Sequence, residues 1–109
     1  MFTKYKLEGK IPVPVEDVLE WARWFHDADR QVARDIIGNL RVSTVFLGLD
    51  HNFSLNGPPV LFETMIFPVD AKGEYIRGEA LDYMERYTTW ELALEGHRRA
   101  VAYAKETLS

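Results

Sequence analysis

No cysteine occurs in this 109-residue chain, which excludes disulfide frameworks, thiolate nucleophiles and zinc–thiolate sites. No apolar run approaches the roughly 18 residues that a membrane-spanning helix needs. The first residues, MFTKYKLEGK, are charged and alternating where a secretory signal would be apolar. A cytoplasmic location is therefore the expectation. There is no basic excess: 13 Lys and Arg against 17 Asp and Glu leave a formal charge of −4. Broad nucleic-acid binding, driven by phosphate neutralisation, is not expected from that balance, and a small arginine cluster gripping one anionic ligand is still compatible with it. The phosphate-loop pattern GxxxxGK[ST], the dinucleotide pattern GxGxxG, the nucleophile elbow GxSxG and the zinc-protease pattern HExxH are all missing. No bound cofactor is expected.

What remains is an ordinary globular composition, 47% hydrophobic with 14 aromatic residues. A chain of this length buries roughly 65% of its unfolded surface and folds without staples. With no repeat and no linker, residues 1–109 form a single domain. Residues 5–8 alternate as a short strand, after which Pro12 and Pro14 enforce extended backbone and end it. Val18, Trp21, Ala22 and Phe25 recur at helical spacing, predicting a helix over 15–27. The stretch from 28 to 37 reads either as continued helix or as a strand at 31–37. The strand is preferred, because Gly38-Asn39 is a two-residue hairpin loop directly before the β-rich run from Leu40 to Leu49. That hairpin pairs Ile37 with Leu40, Asp35 with Val42 and Ala33 with Thr44 on a largely apolar face. Arg34 with Ser43 and Ile36 with Arg41 fall on the other face. VLFETMIF (60–67) is a further strand, 69–81 an irregular acidic excursion containing Gly73 and Gly78, and 82–87 a weak edge strand. Thr88 and Glu91 match a capping box for a helix over 89–106, with Leu92, Ala93, Gly96, Ala100, Val101 and Ala104 as its stripe. The expected fold is α+β: an antiparallel sheet of four or five strands with two helices packed on one face.

Three of these strings, RVSTVFLGLDHNF, GPPVLFETMIF and RYTTWELALEGH, carry a resemblance. They resemble a family of short bacteriophage and prophage proteins with VSTVFLGLDH-like, PxLFETMxF-like and YxTWxxAxxGH-like motifs in that order. The likeness runs from about Val13 to Val101. It implies a viral or prophage origin and expression in a bacterial cytoplasm, and it transfers no catalytic residue. The acidic segment 69–81 is longer than the resemblance leads one to expect.

Several residue sets can carry chemistry. His51, His97 and Glu63 supply two imidazoles and a carboxylate, enough for a three-ligand metal site with an open position, or for hydrolysis by Glu63 with either histidine. The alternative is three hydrogen-bonded residues at the rim of a core. Glu63, amid Leu61, Phe62, Met65 and Ile66, is costly to bury alone; it is either a general base or ligand anchor with a raised pKa, or an ion-pair partner of Arg41 or Arg34, or simply exposed on the polar face. Arg30, Arg34 and Arg41 with Ser43 can grip an anion, unless Asp27, Asp29 and Asp35, interleaved with them, neutralise that face. Asp50 and His51 follow a central strand and lie in a 50–58 loop suited to a ligand. Trp21 and Phe25 fit the buried stripe of the first helix, whereas Trp24 lies off that stripe by about 100°; exposed, it would anchor a partner, and buried, it covers the edge of the core.

The expectation is a small accessory protein that binds a host protein or a small anionic ligand, in the manner of compact phage proteins that interfere with host defence. The competing expectation is a small hydrolase, with or without metal, using Glu63 with His51 or His97. An exposed sheet face or edge strand also suits a homodimer.

Overall fold

Two hairpins use the same loop. Gly9 (φ 64°) opens the turn between β1 (Tyr5–Glu8) and β2 (Ile11–Pro14), and Gly38 (φ 58°) the turn between β3 (Gln31–Ile37) and β4 (Leu40–Phe46). A positive φ at the first of two loop residues is the type II′ signature, whose twist matches that of the flanking strands. In the second hairpin the register is the expected one: Ile37 faces Leu40, Asp35 faces Val42 and Arg34 faces Ser43. β5 (Phe62–Pro68) and β6 (Met84–Tyr87) complete an antiparallel meander in the order β3-β4-β5-β6. The computed structural model describes residues 3–54, 56–77 and 83–109. Gly78 and Asp82, the latter the expected start of the edge strand, lie outside them, as does position 55 of the 50–58 loop.

The α+β expectation holds, with corrections in detail. Pro12 and Pro14 do not end the first strand's region; they lie in β2, which pairs with β1 as a separate two-stranded ribbon. Since proline cannot donate, the alternate residues Ile11 and Val13 carry the ladder, and the prolines face its open side. β4 stops at Phe46, three residues short of the expected end.

Helix α1 (Val18–Asp27) begins at its cap: the Asp17 carboxylate accepts from the Leu19 N–H at 2.8 Å and the Glu20 N–H at 3.2 Å. Its inward stripe is Trp21, Trp24, Phe25 and Ala28, whereas Val18 is 60% exposed. The longer helix α2 (Trp90–Leu108) is capped by Thr89, whose hydroxyl accepts from the Leu92 N–H at 3.1 Å. The cap therefore sits one residue beyond the expected Thr88, and Glu91 falls in the first turn, where it complements the dipole. The stripe is also rotated from expectation: Ala93, Gly96, His97, Ala100 and Ala104 are buried while Leu92 is exposed. Gly96 is needed because the Tyr87 ring occupies the space a Cβ would take.

α2 crosses all four strands on one face of the sheet, whereas α1 rests on β1 and reaches that face only through Trp24. Under α2 the core consists of two apolar clusters. One contains Leu40, Val42, Ile66, Ala100 and Ala104; the other contains Phe46, Leu61, Phe62, Tyr87 and Ala93. Between them, on β4, β5 and α2, stand Thr44, Thr64 and His97, all buried.

Candidate functional site

The two faces of the four-stranded sheet have different chemistry, and alternation along each strand assigns every side chain to one of them. On the face under α2, Thr44 and Thr64 are directly paired across β4 and β5. Their hydroxyls are hydrogen-bonded to each other, Thr44 Oγ1 lies 2.7 Å from His97 Nδ1, and the Tyr87 hydroxyl donates to Thr64 Oγ1 at 3.1 Å. His97 Nε2 lies 2.7 Å from Asp35 Oδ2 on the edge strand β3. With the ring proton on Nε2, Tyr87 donates to Thr64, each threonine hydroxyl accepts once and donates once, Thr44 donates to Nδ1, and the imidazole donates to Asp35. One residue from each strand and one from α2 form this seam. Among the described residues no buried side-chain nitrogen or oxygen lacks a partner. Burial raises the Tyr87 phenol pKa, with the Glu85 charge adding to the rise.

Carboxylate, imidazole and hydroxyl in series also make a nucleophilic triad. Here the order does not amount to a reactive site. Thr44 and Thr64 have no exposed surface and Tyr87 and His97 retain 6% and 5%. The Thr44 hydroxyl is already shared between two partners, and only Asp35, at 54% side-chain exposure, meets solvent.

The opposite face is covered by neither helix. Across it run three rows: Arg34, Ser43, Met65 and Met84; Ile36, Arg41 and Phe67; and Val45, Glu63 and Arg86. Met84 and Ile36 are half exposed, and the Arg41 guanidinium lies 5.8 Å over the Phe67 ring. Tyr75 packs on the same ring at 5.4 Å. Beyond the β3–β4 turn the face continues into an open groove of about 540 Å³, lined by Ile36, Asn39, Val69 and Lys72 among others.

This geometry disperses the proposed His51, His97 and Glu63 set. Glu63 is on the uncovered face, bound by Arg86 Nε at 2.9 Å rather than by Arg41 or Arg34. His97 is on the other side of the sheet, and His51 lies in the loop with Nδ1 2.8 Å from the Leu49 carbonyl. Among the described residues no three histidine or acidic side chains are placed to hold a metal ion. Asp50 caps its own loop, accepting from the N–H groups of Asn52 and Val60. Trp24 is half-buried, edge-on to Phe46 with centroids 5.8 Å apart, so it closes the core and is no exposed anchor. Phe53, in the same loop as Asp50, is 87% exposed. No protein-family model, curated protein or solved structure matches the chain. The site must be read from its residues alone.

The arginine set divides. Arg30 leaves it: its guanidinium stacks 3.9 Å over Phe25 and Nη1 donates to the Phe46 carbonyl. Arg34 and Arg41 remain on the open face beside Ser43, whose hydroxyl accepts from the Gln31 amide at 3.2 Å. The three interleaved acids are engaged elsewhere. Asp27 meets His26, Asp29 caps the Gln31 N–H, and Asp35, by its parity along β3, is on the covered face with His97. Among the described residues no carboxylate lies within 4.0 Å of Arg34 or Arg41. Among the described residues no helix is long and apolar enough to cross a membrane.

Proposed function

We propose that the protein acts by binding rather than by turnover, and that the uncovered sheet face is its contact surface. The observation that carries this reading is the pair Arg34 and Arg41, which meet no carboxylate among the described residues, on a half-apolar face that neither helix covers. Guanidinium groups in that setting take carboxylate or phosphate, while Ile36, Met65 and Met84 supply apolar contact. The resemblance to phage and prophage proteins supports a bacterial cytoplasmic protein as the partner, with interference in host defence as the consequence. No observation favours the hydrolase.

Methionine oxidation tests the reading, because Met65 on β5 and Met84 on the edge strand β6 lie side by side on the face. The purified protein and the same protein added to bacterial extract are given matched peroxide doses, standardised against a methionine peptide. Met84 oxidises readily in buffer and is expected to be protected in extract, with protection lost in R34E/R41E. Equal oxidation in both settings would refute binding at this face.

A further inference from the structure

Resting on that reading, we infer that the occupant of the open face is an acidic amphipathic helix of another protein, lying across the four strands opposite α2. Three observations converge on it. The first is charge. Among the described residues no carboxylate meets Arg34 or Arg41, and Glu63, on the same face, is already held by Arg86, so this face of a second copy offers them no free carboxylate; a carboxylate-bearing partner neutralises both. The second is size. β3, β4 and β5, each seven residues long, with the four-residue β6 beside them, at strand spacings of about 4.8 Å, span at most roughly 19 by 23 Å. That is about half of the ~800 Å² per partner of an ordinary globular interface. A helix with side chains is about 10–12 Å wide, and one 19-residue helix, α2, is what covers the other face of these same strands.

The third is chemistry along the track. Apolar Ile36, Val45, Met65 and Met84 occupy successive strands, with Arg34 and Arg41 interspersed among them on β3 and β4, and the groove lined by Lys72 and Asp70 extends beyond the β3–β4 turn. A helix with apolar residues at i, i+3, i+4 and i+7 flanked by Asp and Glu matches this arrangement. Single-stranded nucleic acid matches less well, since stacking needs a free aromatic face and Phe67 is already covered by Tyr75 and Arg41.

The test uses two displayed libraries of 20-residue helix-patterned peptides, one with Asp and Glu on the flanks and one with Lys. Selection against the full chain is followed by amide chemical-shift mapping. The acidic library is expected to enrich peptides that gain helix on binding and shift amides of residues 34–45, 63–67 and 84–86. R34E/R41E, its fold verified by circular dichroism, is expected to weaken them about tenfold or more. R34Q/R41Q gives an intermediate loss. Enrichment of the Lys library, of peptides bound as strands along the β3 or β6 edge, or of peptides indifferent to R34E/R41E overturns the proposal. So does failure to enrich anything. Inorganic phosphate and pyrophosphate, titrated in parallel, separate the two levels. If they shift the open-face amides while no helix binds, the binding surface stands and its helical partner does not. If nothing shifts those amides, both fall.

Discussion

Replacing Thr64 by valine is the sharpest perturbation of the buried seam, because the side chain keeps its shape and loses only the hydroxyl. Two consequences follow from the geometry. Tyr87, 6% exposed, loses the acceptor of its phenolic hydrogen, and Thr44 loses the neighbour with which it shares one. A neutral hydrogen bond is worth about 1 kcal/mol net, and an orphaned buried polar group costs about 1–3 kcal/mol. Thr64→Val is therefore expected to destabilise by about 2–4 kcal/mol. For a domain of this length that lowers Tm by on the order of 10 °C. Tyr87→Phe alone costs about 1 kcal/mol, yet on the Thr64→Val background it removes the orphan and costs nothing further or restores part of the loss. Urea unfolding, followed by circular dichroism and tryptophan fluorescence, closes the cycle. A Thr64→Val loss below about 0.5 kcal/mol, or additivity of the two changes within that margin, would refute the account of the seam as a coupled chain.

Other substitutions probe neighbouring features. Gly96→Ala places a methyl group in the Tyr87 ring; overpacking of about 1–3 kcal/mol outweighs the roughly 1 kcal/mol gained in helix propensity, and an unchanged or raised Tm would contradict the packing. Asp17→Ala removes both cap bonds of α1 and is expected to cost about 1 kcal/mol, with Asp17→Asn recovering most of it in the same urea assay. The Tyr83 phenol is pushed up from 10.0 to about 12, by burial first and the Glu85 charge second. The folded chain then holds this proton more tightly than the unfolded one, so its contribution is intact below pH 10 and is lost as pH rises towards 12. Stability measured from pH 9 to 12 should decline accordingly, and a Tyr83→Phe variant with the same slope would exclude Tyr83 as the cause.

The β3–β4 hairpin was legible in the sequence because Gly38-Asn39 determines both loop length and register, and register assigns every side chain to a face. The same parity shows Asp35 turned away from Arg34 and Arg41; weighing charges by proximity in sequence hid this and made the face look neutralised. Thr44 between Val42 and Phe46, and Thr64 between Phe62 and Ile66, were inward hydroxyls in plain view. Their partner was not, because the α2 stripe was begun at Leu92, which set His97 at its margin. Tracing the stripe from Ala93 instead brings His97 in at the fourth position and Ala100 at the seventh. Trp24 covers the edge of the core, one of the two readings its position allows, because α1 turns its large aromatic residues inward and leaves Val18 in solvent. The three strings that carry the phage resemblance contain Thr44, Thr64, Tyr87, Gly96 and His97. Their shared role is in the middle of the core, and no spacing rule connects positions on three strands and a helix.

Apolar alternation tells a strand which side faces inward but not how far along its neighbour it should lie. β4 and β5 each repeat buried and half-buried positions over all seven residues, so sliding one past the other by two residues leaves every inward side chain inward. The threonine pair breaks that degeneracy. After such a slip Thr44 would face Phe62 or Ile66, Thr64 would face Phe46 or Val42, and Thr64 would lose the Thr44 oxygen that accepts its hydroxyl proton. An orphaned buried hydroxyl costs about 1–3 kcal/mol, a large share of the whole stability of a domain this size. The polar band is thus an address written across the sheet, by which the chain tells its correct alignment from neighbours that are equally greasy.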